Sequence, residues 1–266
     1  MSVHRFNDKN LVWLYRYRAL DEKSIPWVER IFTHGEMYFA PPSALNDPHE
    51  LNPIYEFLGS PQQVRMYIER LCTRLYPLLH GEKRVAQVEN LLAALEGANL
   101  RHGDGLSPEA QAYMKSEIER VGVCCFSEDW SSAPMWAHYS GNSTGICVRF
   151  KASATTPFFG MTQRVTYSKD YPRINPITQS SEDRVRRLLL WKGNQWSYEK
   201  EWRIVDTDAG PGIRKFPVEY IHSVLLGPKI TAEHEKAVRA WVATMKHEVS
   251  VRRVASIAGS YQMRLV

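Results

Sequence analysis

Short runs of apolar and aromatic residues recur at irregular intervals along this chain, and stretches with helical periodicity separate some of them. Alternation of apolar and polar residues with a period of two predicts a strand, whereas a period near 3.6 predicts a helix. Strands are predicted at residues 11–18, 37–40, 121–126, 145–150, 164–167, 199–206, 218–226, 249–254 and 261–266. Because helices do not follow strands in a regular strand–helix–strand repeat, the sequence predicts an α+β fold rather than a doubly wound parallel sheet.

The stretch from residue 61 to residue 121 differs from the rest, because helical periodicity appears in it three times. The three helical segments are 64–79, 85–95 and 108–121. A chain of 266 residues suits one domain with an insertion better than two full domains. We therefore predict a single α+β domain spanning residues 1–266, with a helical insertion at about residues 61–120.

Composition excludes several classes of protein. Hydrophobic residues make up 44% and charged residues 24% of the chain, which is ordinary for a globular protein and excludes a disordered or fibrous one. No apolar run approaches the roughly 18 residues of a membrane-spanning helix, and residues 1–10 lack the apolar centre of a signal peptide. The four cysteines show no Cys-x-x-Cys spacing, so we expect reduced thiols in a cytoplasmic protein that does not contact a membrane.

Several common chemistries lack their motifs. The sequence contains no Walker loop, no Gly-x-Gly-x-x-Gly after a strand and no His-Glu-x-x-His or Cys/His ligand set, so we predict no P-loop, no Rossmann site and no bound metal. Residues 141–145 match the string Gly-x-Ser-x-Gly. A nucleophile elbow needs a strand before it and a helix after it, and here the order is reversed, so a helix-to-strand turn is predicted instead.

The segment 196–203 is the sharpest local feature. If it is a strand, Glu199, Glu201 and Arg203 share one face, because side chains alternate along a strand. This arrangement suits a polar cleft that holds one carboxylate in a fixed orientation. A solvated strand face with a Glu–Arg pair explains it equally well, so both interpretations stay open.

Three further segments offer candidate binding residues. In Tyr-Arg-Tyr-Arg at 15–18, both arginines share one strand face and suit a pyrophosphate, although for Arg18 a surface position is the simpler interpretation. In Met-Trp-Ala-His-Tyr at 135–139, Trp136 and Tyr139 share one face of a helical turn and could line a slot for a flat ring. Core packing is favoured for Trp136, and a cleft position is as good an interpretation for His138 and Tyr139. The turn at 46–48, Asn-Asp-Pro, is ordinary turn chemistry.

Six of these motifs occur together in order. They are Tyr-Arg-Tyr at 15–17, Pro-Pro-Ser to Asn-Asp-Pro at 41–48, Cys-Phe-Ser at 125–127, Met-Trp-x-His-Tyr at 135–139, Gly-x-Cys-x-x-Phe at 145–150 and Tyr-Glu-Lys-Glu-Trp-Arg at 198–203. This series resembles the bacterial family called domain of unknown function 2971, over roughly residues 13–230. The family name supplies no function.

The order of an early arginine, a middle tyrosine and a late glutamate is similar to that of ADP-ribosyltransferases. This resemblance implies a split mixed sheet that binds NAD in a cleft, with Arg16 orienting the dinucleotide, Tyr139 packing on nicotinamide and Glu201 acting on the ribose. Glu199-Lys200-Glu201 resembles the paired-glutamate motif of some members, which gives Glu199 the role of orienting or deprotonating an acceptor. No Ser-Thr-Ser strand is visible, so only the tyrosine-type variant of the middle motif applies. The implied catalytic residues are Glu201 and Glu199, and the implied cofactor-binding residues are Arg16, Tyr139, His138, Trp136, Arg203 and Asn46.

The leading hypothesis is therefore an NAD-consuming enzyme, either an ADP-ribosyltransferase or an NAD glycohydrolase, in a bacterial toxin or phage-defence setting. NAD is its substrate, and the acceptor of any transferred group, such as a protein or a nucleic acid, is left open. One alternative is a metal-dependent nuclease or hydrolase built on Asp47, Glu50, Glu199 and Glu201. Another is a binding module without catalysis, in which the aromatic slot recognises a nucleotide or the end of a nucleic acid.

Overall fold

The computed structural model of this chain describes residues 13–97 and 115–266, which form two compact units. The described part of the first unit consists of residues 13–44, 121–167 and 194–266, and that of the second consists of residues 45–97, 115–120 and 168–193. The sequence predicted one domain with an insertion at about 61–120. The second unit is larger than that insertion, because residues 45–60 and 168–193 also belong to it.

The helices and strands are numbered here in chain order. The helices are α1 (Ile25–Thr33), α2 (Pro61–Leu75), α3 (Gly81–Gly97), α4 (Ala133–Tyr139), α5 (Ser181–Leu189) and α6 (Ala232–Ala243). The strands are β1 (Trp13–Arg18), β2 (Glu36–Phe39), β3 (Ile54–Tyr55), β4 (Gly122–Ser127), β5 (Ile146–Lys151), β6 (Gln163–Arg164), β7 (Thr166–Ser168), β8 (Arg173–Ile174), β9 (Trp191–Gly193), β10 (Glu201–Asp206), β11 (Gly212–Lys215), β12 (Ile221–Leu226), β13 (Ser250–Ser256) and β14 (Met263–Leu265).

A sheet of eight strands forms the centre of the first unit, in the order β14-β13-β12-β5-β1-β4-β10-β6. Neighbouring strands are antiparallel except for β12 and β13, which are parallel and are connected through α6. A parallel pair needs such a crossover, because a tight turn can join only antiparallel strands. The mixed sheet confirms the predicted combination of strands and helices. Its eight strands form one continuous series.

The two faces of this sheet pack against different helices. Leu14, Phe126 and Trp202 belong to one apolar cluster, which also takes in residues of α1 and α6, and we call this side the α1 face. Tyr15 and Tyr17 point the opposite way and pack with α4, and we call that side the α4 face. The pattern follows from the period of two along β1, which sends successive side chains to opposite sides.

Helix α4 is short and has defined ends. Ser132 caps it by accepting a hydrogen bond from the backbone N–H of Met135, and Pro134 lies in its first turn, where a missing N–H costs nothing. The turn at 141–145 then leads into β5, with Asn142 and Ser143 at positive φ. The predicted helix-to-strand turn is thus confirmed, and the order of elements excludes a nucleophile elbow at Ser143.

The second unit is built around α2 and α3. Ser60 and Gln63 form a capping box at the start of α2. The helix begins at Pro61, since a proline fits the first helical position. Buried residues from both helices pack together, among them Ile68 and Cys72 of α2 and Val88 of α3. Both helices agree with the sequence prediction. Of the third predicted helix, residues 115–119 are helical and 108–114 lie outside the described residues.

Other expectations can also be compared with the described chain. The strand predicted at 199–206 begins at Glu201, because residues Asn194–Glu199 form 3-10 turns. Strands β3, β8, β9 and β11 were not predicted from the sequence. The four cysteines form no disulfide within the part of the chain that the structure describes. Among residues 13–97 and 115–266, no helix is long and apolar enough to cross a membrane.

Candidate active site

A change of backbone conformation between Glu199 and Glu201 places both side chains on the α4 face. Glu199 ends the 3-10 segment, Lys200 has a φ of 44°, and β10 begins at Glu201. The hydroxyl of Ser127 donates a hydrogen bond to the carbonyl of Glu199 over 2.6 Å, which fixes this corner against β4. Ser127 is also the neighbour of Glu201 in the sheet and of Tyr15 on the other side. Strands β1, β4 and β10 therefore bring these side chains to one face.

The carboxylate of Glu199 is held by Tyr139. The Tyr139 hydroxyl donates to Oε1 of Glu199 over 2.5 Å, and only 2% of Glu199 is exposed. A hydroxyl–carboxylate bond of this length belongs to the strong class, because the acceptor carries charge. Tyr139 is the last residue of α4 and is half-buried, so this bond joins the end of α4 to the start of β10.

A second polar pair lies beside the first. Nδ1 of His138 is 3.0 Å from the hydroxyl of Tyr198, and their rings meet edge to face with centroids 6.0 Å apart. The Trp196 ring lies 6.2 Å from that of Tyr198 at an angle of 38°. His138 is exposed, whereas Trp196 and Tyr198 are half-buried. The buried carboxylate of Glu199 thus lies next to an exposed imidazole and two half-buried aromatic rings.

Glu201 has a different environment. Both of its carboxylate oxygens accept from Arg203, with Nε to Oε1 at 2.8 Å and an Nη to Oε2 at 2.9 Å. The exposed fraction is 5% for Glu201 and 1% for Arg203. Two parallel bonds of this kind match the fork of the guanidinium to the carboxylate. Glu201 and Arg203 thus share a strand face, as predicted, and form a buried ion pair rather than a solvated one.

Arg16 is not part of this group. It lies on the α1 face, where its guanidinium contacts Sγ of Cys124 and donates to the carbonyl oxygens of Cys125, at 3.3 Å, and Tyr38, at 3.1 Å. Its guanidinium carbon is 5.4 Å from the centre of the Phe126 ring. The predicted meeting of Arg16 with Tyr139 and Glu201 is therefore not found. The reason is the register of β1, which gives Arg16 the face opposite to that of Tyr15 and Tyr17.

Two other residues, Trp136 and Asn46, were predicted to bind the cofactor. Trp136 is fully buried, its ring packs edge to face on Tyr17 at 5.1 Å, and its Nε1 donates to the carbonyl of Trp130 over 2.7 Å. The interpretation of Trp136 as a core residue, which the sequence favoured, agrees with this. Asn46 belongs to the second unit and not to the first.

The carboxylates proposed for a metal-dependent hydrolase are divided between the units. Asp47 and Glu50 belong to the second unit, where Asp47 accepts from the backbone of His49 over 2.9 Å. Glu50 lies 3.1 Å from Nζ of Lys192, and both side chains are buried. Glu199 and Glu201 belong to the first unit. Within the described residues, no group of three or more His, Cys, Asp or Glu side chains is arranged to hold a metal ion.

Tyr198 was missed as a candidate by sequence reasoning. It stands directly before Glu199 in the segment that was singled out, and that adjacency was the available signal. A strand would have sent Tyr198 and Glu199 to opposite faces. The 3-10 conformation of Asn194–Glu199 removes that constraint, and both residues contact the end of α4.

Comparison with known proteins gives one family. Residues 135–204 match the family described as protein of unknown function (DUF2971), as the motif series suggested. No curated protein and no solved structure matches the chain. The matched segment contains residues 135–139 of α4, the 3-10 turns and the first part of β10, so it includes His138, Tyr139, Tyr198 and Glu199. The similarity to ADP-ribosyltransferases rests on the residues alone.

Proposed function

We propose that this protein is an NAD-consuming enzyme, a glycohydrolase or an ADP-ribosyltransferase, and that Glu199 is the carboxylate that faces the ribose. One observation carries the proposal: the Glu199 carboxylate is fixed by the Tyr139 hydroxyl at 2.5 Å, directly beside the His138–Tyr198 pair. The family match covers all four of these residues.

Cleavage of the bond between ribose and nicotinamide is helped by such a carboxylate. When the bond between C1′ of the ribose and the nicotinamide nitrogen breaks, the bonding pair leaves with nicotinamide and positive charge develops on the sugar. A carboxylate held in place before the reaction stabilises that charge without reorganisation, which is often the largest catalytic contribution. Water or another acceptor then forms the new bond to C1′ and loses a proton. His138 is the adjacent group suited to accept that proton.

The aromatic rings suit the flat parts of the substrate. Trp196 and Tyr198 are half-buried, so each offers part of a ring face for nicotinamide or adenine to stack on. Stacking of this kind contributes roughly 1–3 kcal/mol per ring. Binding energy from these contacts would position the bond to be broken against Glu199.

This proposal differs from the residue roles that the resemblance implied. Glu201 is bound by Arg203 through both oxygens, so we give it the role of holding the start of β10 rather than of acting on the ribose. Arg16 lies on the opposite face and has no role at this site. Tyr139 keeps its place in the site, as the residue that orients Glu199.

The experiment measures nicotinamide release from NAD by the purified protein in a buffer without divalent cations. Glu199→Gln keeps an acceptor for Tyr139 and removes the charge, so we expect turnover to fall by about 100-fold or more while circular dichroism shows that the variant still folds. Tyr139→Phe should lose activity to a smaller extent. Glu219→Gln, an exposed site in the same unit, is the matched control and should keep full activity.

Two outcomes would overturn the proposal. In the first, Glu199→Gln turns over NAD as fast as the parent protein. In the second, the parent protein neither releases nicotinamide nor binds NAD in a titration. Turnover that a chelator abolishes would favour the metal-dependent alternative, and NAD binding without turnover would favour a binding module.

A further inference from the structure

A cavity of about 480 Å³ opens on the α1 face of the first unit, on the opposite side of the sheet from Glu199. Strand β1 contributes Arg16 and Arg18 to its wall, and α1 and β2 contribute apolar and aromatic side chains. The two arginines are two residues apart on one strand, so they point to the same side. The cavity therefore combines the guanidinium groups of Arg16 and Arg18 with apolar side chains, and Arg30 and Glu36 also line it.

Arg16 is only partly satisfied by the protein. It is 7% exposed, and two of its nitrogens donate to a sulfur and to backbone carbonyl oxygens. Its Nε is buried and has no hydrogen-bond partner in the structure. A buried N–H without an acceptor costs free energy. The three contacts that Arg16 does make are with neutral groups, so none of them balances its charge.

Arg18 is in a less favourable position still. Among the described residues it has no hydrogen bond and no ion pair from its side chain. Burial, and then repulsion from Arg16, lower the pKa of Arg18 to about 9. A half-buried cation beside another cation is destabilising, and an anion placed between them would reverse the sign of this interaction.

The carboxylate in the cavity wall does not supply that anion. Glu36 is bound by Nε of Arg30 at 2.6 Å and by Nζ of Lys215 at 2.8 Å. These two cations hold the pKa of Glu36 at about 2, well below its ordinary value. The Glu36 carboxylate is thus bound by Arg30 of α1 and Lys215 of β11, and the charges of Arg16 and Arg18 are left for a ligand.

Aromatic side chains lie at the rim of the cavity. Trp27 is 57% exposed and Tyr38 is 47% exposed, and both line the opening. Ile31 and Met37 provide apolar wall below them. Exposed rings over an apolar cavity suit a flat ring system, and a pair of arginines suits a phosphate because the guanidinium fork matches its oxygens.

We propose that this cavity is a second ligand site, which binds a nucleoside phosphate. Arg16 and Arg18 hold the phosphate, and the base lies against Trp27 and Tyr38. The site is separate from the Glu199 site, since the sheet lies between them, and its existence does not depend on the proposed enzymatic activity. The volume of about 480 Å³ is within the usual range of small-molecule sites.

The experiment is calorimetric titration of the full chain with AMP, with adenosine and inorganic phosphate as separate probes. We expect AMP to bind more tightly than either part alone. Arg18→Gln should weaken AMP binding by about 10-fold or more, because it removes one charge-assisted contact. It should not lower the melting temperature, because Arg18 has no described partner to lose. Arg264→Gln, at an exposed arginine of β14, is the matched control and should leave AMP affinity unchanged.

Two further variants keep the test decisive. Trp27→Leu should weaken AMP but not inorganic phosphate, and Glu199→Gln should affect neither, which separates this site from the proposed active site. The proposal is overturned if AMP does not bind at millimolar concentration, or if Arg18→Gln binds it as tightly as the parent protein. Equal affinity for inorganic phosphate and AMP would overturn the nucleoside part.

Discussion

Replacement of Arg203 by methionine tests whether the Glu201–Arg203 pair supports the fold. Methionine keeps the length and apolar stem of the arginine but removes the guanidinium, so the Glu201 carboxylate loses two charged donors at 2.8 and 2.9 Å. The side chains are 6% and 1% exposed, so water cannot replace those donors. We therefore expect a clear loss of stability and not merely a loss of activity.

The magnitude follows from the burial of the pair. Breaking a buried ion pair by removing one partner costs about 3–5 kcal/mol, since the remaining charge loses its bidentate partner. For a folding unit of this size, this loss lowers the melting temperature by roughly 10 °C. Glu201→Gln keeps one oxygen acceptor for Arg203 and should cost less, about 1–3 kcal/mol. The double variant Glu201→Leu, Arg203→Met removes both charges and should be more stable than Arg203→Met alone.

The assay is urea denaturation followed by tryptophan fluorescence, with the melting temperature as a second measure. Arg264→Met, on the exposed side of β14, is the matched control and should unfold like the parent protein. The reasoning is refuted if Arg203→Met unfolds within 1 kcal/mol of the parent protein with an unchanged dependence on urea. It is also refuted if the double variant is less stable than Arg203→Met alone.

Two other predictions concern backbone space and charge. Gly145→Ala should destabilise the first unit by about 3 kcal/mol or more, since a Cβ there would press into the carbonyl oxygens of Arg18 and Ser140. At Gly259 a Cβ meets open space, so Gly259→Ala should cost only about 1 kcal/mol for its positive φ. Thermal melts of both variants check this prediction. An NMR titration of Glu36 should show a midpoint near pH 2 that moves upward in Arg30→Gln, because Arg30 and Lys215 lower its pKa from 4.5 to about 2. The stability that ionised Glu36 contributes is fully present above the pKa of the unfolded chain and is lost as the pH falls towards 2. A midpoint near 4.5 in the parent protein would contradict this prediction.

The local elements were largely predictable from the sequence. The sequence predicted a strand at 11–18 and a helical turn at 135–139, and β1 and α4 form within a few residues of these positions. Short elements such as β3 and β8 were not predictable, because two residues carry no periodicity. The start of β10 was misplaced for a different reason. Lys200 has a φ of 44°, which a lysine seldom adopts and which no residue pattern around it predicts.

The candidate site was likewise predictable from the sequence only in part. The sequence placed Glu201 and Arg203 on one face, since only their own strand is involved. It could not decide whether that face is a solvated surface or a buried pair, because burial depends on what α4 and β4 contribute.

The sequence by itself determined the mixture of strands and helices, the pairing of Glu201 with Arg203, and the small set of residues that could carry chemistry. Only the tertiary structure decided which of them meet. Tyr139 and Glu199 are 60 residues apart and are joined by a hydrogen bond, whereas Arg16 is turned to the other side of the sheet. Periodicity fixes how side chains are distributed over the faces of one element, but contacts between distant elements depend on strand order and register, which no local pattern encodes.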